Sequence, residues 1–165
     1  MRPPRAYKLG PVRNTIPAWV LVLAAVFCIT VGKAYVDGPL WNASVQSLRE
    51  IRLIPLQEFY QPTVWYGPWL NFLGNVALFV PVGLLARRRA VPVGVGLSVA
   101  IELTQFATAT GYTDIDDLIF NTLGAALGGW LAGRLTRRSY RAAVAACVAG
   151  SLAVVAAFAG LWLVQ

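Results

Sequence analysis

Long apolar runs alternate with short polar breaks along most of the chain, and the runs have the length of bilayer spans. A spanning helix needs ~20 mostly apolar residues, rising ~1.5 Å each, to cross ~30 Å of hydrocarbon. Five windows meet that requirement: residues 17–36, 69–86, 91–109, 118–133 and 142–164. The pattern predicts an all-α fold, a polytopic transmembrane helix bundle of about five spanning helices. The window 118–133 is the shortest and carries Asn121. Residues 1–16 hold four basic residues and three prolines without apolar periodicity and read as a flexible basic cytoplasmic leader. Residues 17–164 read as a single transmembrane domain. The first apolar run follows a basic stretch, as in a signal peptide, but its ~16 residues exceed the usual ~7–15 of a signal core, which favours a retained anchor.

Between the first two windows, Val45, Leu48, Ile51 and Ile54 recur at helical spacing, and Ser47 with Glu50 has the spacing of a capping box. This predicts a short amphipathic helix along the interface, ended by Pro55. Phe59, Tyr60, Trp65, Tyr66 and Trp69 then cluster as an interfacial aromatic belt would. Pro81 and Gly83 lie inside the second window, where proline removes a backbone hydrogen bond and predicts a kink. Most such kinks are static; a hinge is the functional alternative. Small residues four apart, at Gly124 and Gly128, Gly129 and Gly133, Ala146 and Gly150, and Ala156 and Gly160, suit close helix packing.

Polar residues interrupt the apolar windows at particular places. Glu102 and Gln105 share one helix face, Asp117 and Asn121 another, and Asn71 and Asn75 a third. Asp116, about 100° around a helix from Asp117, is expected to face elsewhere. Counted from the ends of their windows, Asn75, Glu102, Gln105 and Asn121 lie within ~6–11 Å of one surface, which the turn Asp114–Asp117 covers. These residues predict a polar cavity formed by Asn75, Glu102, Gln105, Asp114, Asp117 and Asn121. The plainer reading makes them interhelical clamps, worth under about 1 kcal/mol each. An acid at Glu102 goes beyond that reading, because a carboxylate at mid-span costs ~2.5–3.5 kcal/mol and a glutamine would hydrogen-bond more cheaply.

Composition fits this picture: 58% of residues are hydrophobic and 13% charged, outside the range of soluble domains. The net charge of +7 is a matter of topology. Of 14 basic residues, Arg2, Arg5, Lys8, Arg13, Arg87, Arg88, Arg89, Arg134, Arg137, Arg138 and Arg141 fall on one side if five helices alternate. Lys33, Arg49 and Arg52 remain for the other, so the positive-inside rule places the N-terminus in the cytoplasm and the cavity outside. Membrane lipid is then the expected contact of the basic residues, and nucleic acid is not expected as a partner. Cys28 and Cys147 sit at different depths and read as packing residues. Without histidine, the chain offers no Ser-His pair and none of the usual zinc sites, and neither metal nor cofactor is expected. The chemistry left is that of a carboxylate set, Glu102 with Asp114, Asp116 and Asp117, which could act as acid and base or hold a hard divalent cation through oxygen ligands; Glu102, Asp117 and Asp114 are the candidate catalytic residues.

The ordered set Asn75, Phe79-x-Pro81-x-Gly83, Glu102-x-x-Gln105, Asp114 with Asp117, and Asn121-x-x-Gly124 resembles the VanZ-like family of bacterial membrane proteins. The resemblance covers a core of about residues 50–133 and includes Arg52-Leu53-Ile54-Pro55 ahead of the second span. The family usually carries an arginine just before its acidic turn, where this chain has Gly111, Tyr112 and Thr113. The resemblance implies an envelope protein associated with tolerance to glycopeptide antibiotics, teicoplanin especially. It also implies a lipid-linked cell-wall precursor or a glycopeptide as partner, met on the extracytoplasmic side. Two other functions fit the same residues: an intramembrane hydrolase or transferase acting on a lipid headgroup, and a small proton-coupled transporter.

Overall fold

The computed structural model describes residues 15–38, 41–43 and 49–164. Most of the predicted leader 1–16 lies outside these residues, as do Val45, Ser47 and Leu48 of the predicted interfacial helix. Five long helices carry the described fold: α1 (Ile16–Thr30), α3 (Gly67–Ala86), α4 (Ala90–Thr108), α5 (Ile115–Arg134) and α6 (Arg137–Val164). A short α2 (Gln57–Tyr60) precedes α3, and two strands, β1 (Arg49–Arg52) and β2 (Gly111–Asp114), lie beside the helix ends.

Local chemistry accounts for where the helices start and stop. Pro17 and Pro68 stand in the first turns of α1 and α3, where the missing N–H costs nothing. Asp114 caps α5 by accepting from the Asp116 N–H, and Asp116 and Asp117 add negative charge to its first turn, where the helix dipole favours it. Pro81 does not end α3, which runs through it to Ala86. Arg87, at φ 57° and ψ −114°, stops that helix. Helix α6 begins five residues before its hydropathy window and takes Arg137, Arg138 and Arg141 into its first turns.

The all-α expectation needs one amendment. Glu50, Ile51 and Arg52 belong to a strand, not to an amphipathic helix, and β1 pairs in parallel with β2 in the register Arg49 to Gly111 and Arg52 to Asp114. Parallel pairing requires a long crossover, here the whole of α2, α3 and α4. The helical spacing of four apolar residues is a local signal, and it was overridden by a backbone partner some sixty residues further on.

Packing is set by glycine. A Cβ on Gly124 would collide with the Val76 backbone, one on Gly128 with the backbone of Val80 and Leu84, and one on Gly83 with the Ala125 backbone. The pairs Val76 with Gly124 and Val80 with Gly128 advance together along both chains, so α3 and α5 are parallel, and the Gly83 contact with Ala125 shows how close they are. Gly94 meets Ala125 and Gly129 meets Ala90, an opposite progression that makes α4 antiparallel to α5. The stretch Gly67–Thr108 is therefore a helical hairpin. Among the described residues it is one of three stretches long and apolar enough to cross a membrane, with Ile16–Ala34 and Arg137–Val164. Helix α5 equals α3 in length but carries Asp116, Asp117 and Asn121; it packs against both α3 and α4 and exposes Ile119, Leu123, Leu127 and Trp130.

Ala18, Val22 and Val26 of α1 complete a core with Phe79, Val82, Leu85, Ile101 and Ala125. At one end of the bundle the buried Tyr140 hydroxyl donates to the Leu84 carbonyl at 3.2 Å, satisfying a terminal acceptor of α3. At the other end Trp41 stacks on Phe158 with ring centroids 5.6 Å apart. Helix α6 buries only Tyr140 and Ser151, and Leu152, Trp162, Leu163 and Val164 face outward. Its glycines at 150 and 160 have no neighbour within 4 Å, unlike the pair Gly124 and Gly128.

Gly128→Val should accordingly cost about 1–3 kcal/mol or more, because neither neighbouring backbone can yield. Gly133→Ala, where nothing lies within 4 Å, should be neutral. Thermal unfolding of the two variants in one detergent checks this, and equal losses would contradict the close packing of α3 on α5.

Candidate functional site

The site starts from the turn between α4 and α5. Ala109 takes the left-handed conformation at φ 53°, and the Thr110 N–H donates back to the Gln105 carbonyl at 3.0 Å. Gly111 follows with φ 151°, a conformation that favours glycine, and a Cβ there would come within 3.0 Å of Gln105 Nε2. The turn brings β2 back over the end of α4. There Glu102 Oε2 accepts from the Asp114 N–H at 2.9 Å.

From Asp114 the bonds run outward through backbone and carboxylate in turn. Asp114 Oδ1 accepts from the Asp116 N–H at 2.8 Å. Both Asp116 oxygens accept from the Leu56 N–H, at 2.8 and 2.9 Å, which holds Leu56 in its left-handed conformation at φ 59°. Asp116 does face away from Asp117, as its helical position implies, yet it is buried and anchors the chain ahead of α2. Asp117 Oδ1 accepts from Asn75 Nδ2 at 2.6 Å, the same amide donates to Asn71 Oδ1 at 2.8 Å, and Asn71 also hydrogen-bonds Asp117. Gln105 Nε2 donates to the Thr30 carbonyl at 3.2 Å, satisfying the last turn of α1.

Beside this network lies a cavity of about 190 Å³, open on one side and lined by Lys33, Arg52, Glu58, Asn71, Gln105, Tyr112, Asp114 and Asp117. Of the six residues expected from the sequence to form it, Gln105, Asp114 and Asp117 line it. Glu102 and Asn75 stand behind, bonded to residues that do. Asn121 sits about one turn deeper and pairs with Ser98 Oγ at 3.0 Å, as a clamp between α4 and α5.

Sequence reasoning missed Lys33, Arg52, Glu58 and Tyr112, and noted Asn71 only as a neighbour of Asn75. A signal existed for two of these: Lys33 and Arg52 are cations on the sparsely basic side of the chain. Arg52 is held by Glu50 at 3.0 Å and Glu58 at 2.7 Å, with its guanidinium 3.7 Å from the Tyr112 ring centroid. A guanidinium thus reaches, from β1, the place just before the acidic turn where an arginine was expected from the chain itself.

The electrostatics are dominated by carboxylates. Six of the seven acidic residues, Glu50, Glu58, Glu102, Asp114, Asp116 and Asp117, line the cavity or bond a residue that lines it. Burial pushes the Asp114 carboxyl up to about 6, with the neighbouring charges of Asp117 and Asp116 adding to the shift and the bond from the Asp116 N–H opposing it. Among the described residues three buried acceptors have no hydrogen-bond partner: Glu102 Oε1, Gln105 Oε1 and Asn121 Oδ1. Unpaired buried oxygens are costly, and two of these belong to the layer at the cavity. Among the described residues no three acidic side chains converge as a metal site would need.

Fold and site together define a helical membrane protein with a carboxylate-rich cavity at one end of its bundle. The chain belongs to the VanZ/LLP1 family, whose model matches residues 19–137. Protein VanZ of Enterococcus faecium is 37% identical to it over 70 residues, which are 38% of this chain and 44% of that protein. The chain thus spans less than half the length of the curated relative it matches. No solved structure matches it.

Two outcomes follow from the geometry. Glu102→Gln should fold, whereas Glu102→Leu leaves the Asp114 N–H unpaired and should cost about 1–3 kcal/mol in detergent unfolding. Equal stability of the two variants would deny the bond its role. For Asp114 the folded carboxyl holds its proton more tightly than the unfolded chain. That contribution is fully present below the ordinary 3.8 and lost as pH rises through about 6. Melting temperature should fall between about pH 4 and pH 7, and Asp114→Asn should reduce the fall. An unchanged pH profile in that variant would contradict the assignment.

Proposed function

We propose that this protein works on the extracytoplasmic side of a bacterial plasma membrane, taking the polar headgroup of a lipid-linked target into the carboxylate cavity. In this reading α3, α4 and α5 each cross the bilayer, which with α1 and α6 makes five spans and a cytoplasmic N-terminus. The placing of the arginines supports it. Arg87, Arg88 and Arg89 follow α3, and Arg134, Arg137 and Arg138 join α5 to α6, all at the end of the bundle remote from the cavity. Among the described residues that line the cavity, only Lys33 and Arg52 are basic.

The observation that carries the proposal is the concentration of acid at one end of the bundle. A solvated loop has no need to bury Glu102, Asp114 and Asp116, each under a tenth exposed, inside an otherwise apolar bundle. Ionisable groups at such depth are costly and serve function by default. The family resemblance supports glycopeptide tolerance, to teicoplanin in particular, as the phenotype through which this action shows. A second reading is favoured by the unpartnered Glu102 Oε1: a hydrolase or transferase in which Glu102 and Asp117 or Asp114 act as acid and base on the bound headgroup.

Glu102→Gln and Asp117→Asn keep shape and hydrogen-bonding capacity while removing an ionisable proton. Both variants should insert and accumulate normally in a sensitive host yet lose the tolerance or lipid-directed activity of the native chain, by about 100-fold where the group is acid or base. Asp37→Asn, at the one acid outside the cluster, should leave it unchanged. Full activity of the Glu102 and Asp117 variants at native abundance would reduce the cavity to packing.

A further inference from the structure

We infer that the cavity takes a zwitterionic headgroup, one that joins a phosphate to a primary ammonium. The inference rests on the proposed action at a lipid headgroup and adds its chemistry. Both signs of charge line one space, but they are not equally committed. Arg52 is taken up by Glu50, Glu58 and the Tyr112 ring. Lys33 lies half-buried in the cavity wall and has no hydrogen bond or ion pair with the other described residues, although it feels the charges of Asp117 and Glu102. Its ammonium is therefore available to an anionic oxygen of a ligand. A phosphate supplies several.

The opposite pole is set by the acceptors. Six acidic residues and two cations line the cavity or bond its lining, so carboxyl oxygens outnumber cationic donors there. Gln105, 3% exposed, lines the cavity with its Oε1 unpartnered, and Glu102 Oε1 behind it is also unpartnered. Oxygens that lack donors within a cluster of carboxyl groups call for a ligand rich in N–H. A primary ammonium offers three donors, whereas a quaternary ammonium offers none. A divalent metal would instead need several oxygens on one point, and no three acids provide that among the described residues. Size narrows the choice further. At ~30 Å³ per water, 190 Å³ is the room of about six waters, enough for a phosphate with a short amine.

The test uses the purified full-length chain in detergent and short-chain lipids with one acyl composition and different heads: phosphoethanolamine, phosphocholine and phosphoglycerol. Free O-phosphoethanolamine is the fourth probe. Binding is read by titration calorimetry. The phosphoethanolamine lipid should bind about tenfold more tightly than the other two lipids, the worth of one charge-assisted contact. Lys33→Gln should weaken all three lipids alike, since the phosphate is common to them. Equal affinity for the phosphoethanolamine and phosphoglycerol lipids would overturn the ammonium pole while leaving headgroup binding intact. A Lys33→Gln protein that is folded and binds as the native chain would overturn the phosphate pole. Free O-phosphoethanolamine binding as tightly as the lipid would support the zwitterion but make the ligand a soluble one. Binding of none of the four would overturn both this inference and the reading on which it rests.

Discussion

The layer that holds the cavity depends on one bond, from the Asp114 N–H to the carboxylate of Glu102. A backbone that leaves a membrane helix, turns and starts the next one must satisfy its peptide groups within the protein, since hydrocarbon offers no partner. Here Gln105 closes the end of α4 through its carbonyl, Glu102 takes the N–H of Asp114, and Asp114 caps α5. Asp116 then fixes Leu56, whose chain carries β1 and, with it, Arg52. A glutamine at 102 could accept the first bond. It would not supply an ionisable proton.

The frame beneath this layer is stiff for a different reason. Gly83, Gly124 and Gly128 let α3 and α5 approach until backbone meets backbone, and the interface has no side chain there to rearrange. Gly83 thus serves the packing of α3 on α5. On this base Asn75 and Asp117 meet across α3 and α5, and Ser98 and Asn121 across α4 and α5. Helix α6 contributes to the core on one side but buries no acidic residue and lines no part of the cavity.

Much of the helical architecture could be read from the chain because spans announce themselves by length and apolarity, which act locally. Helix ends were less legible: Arg137, Arg138 and Arg141 closed a hydropathy window yet lie within α6, since charge ends a window and not a helix. β1 was illegible for a better reason. Its partner lies across three helices, and no local spacing reports that. The polar residues of the spans, Asn75, Glu102, Gln105 and Asn121, stood out because each is expensive in an apolar window. Lys33, Glu58 and Tyr112 did not, because a charged or aromatic residue near a membrane surface already has an ordinary explanation.

The claim on which the account turns is that the carboxylate cavity opens to the extracytoplasmic side. In a chain with Cys28 and Cys147 replaced by alanine, a single cysteine at Asn71 can be offered a membrane-impermeant thiol reagent on intact cells. Asn71 lines the cavity, so the account predicts labelling without permeabilisation, while a cysteine at Arg88 reacts only once the membrane is opened. Protection of the Asn71 position in intact cells, with labelling at Arg88, would invert the protein in the membrane and contradict the account.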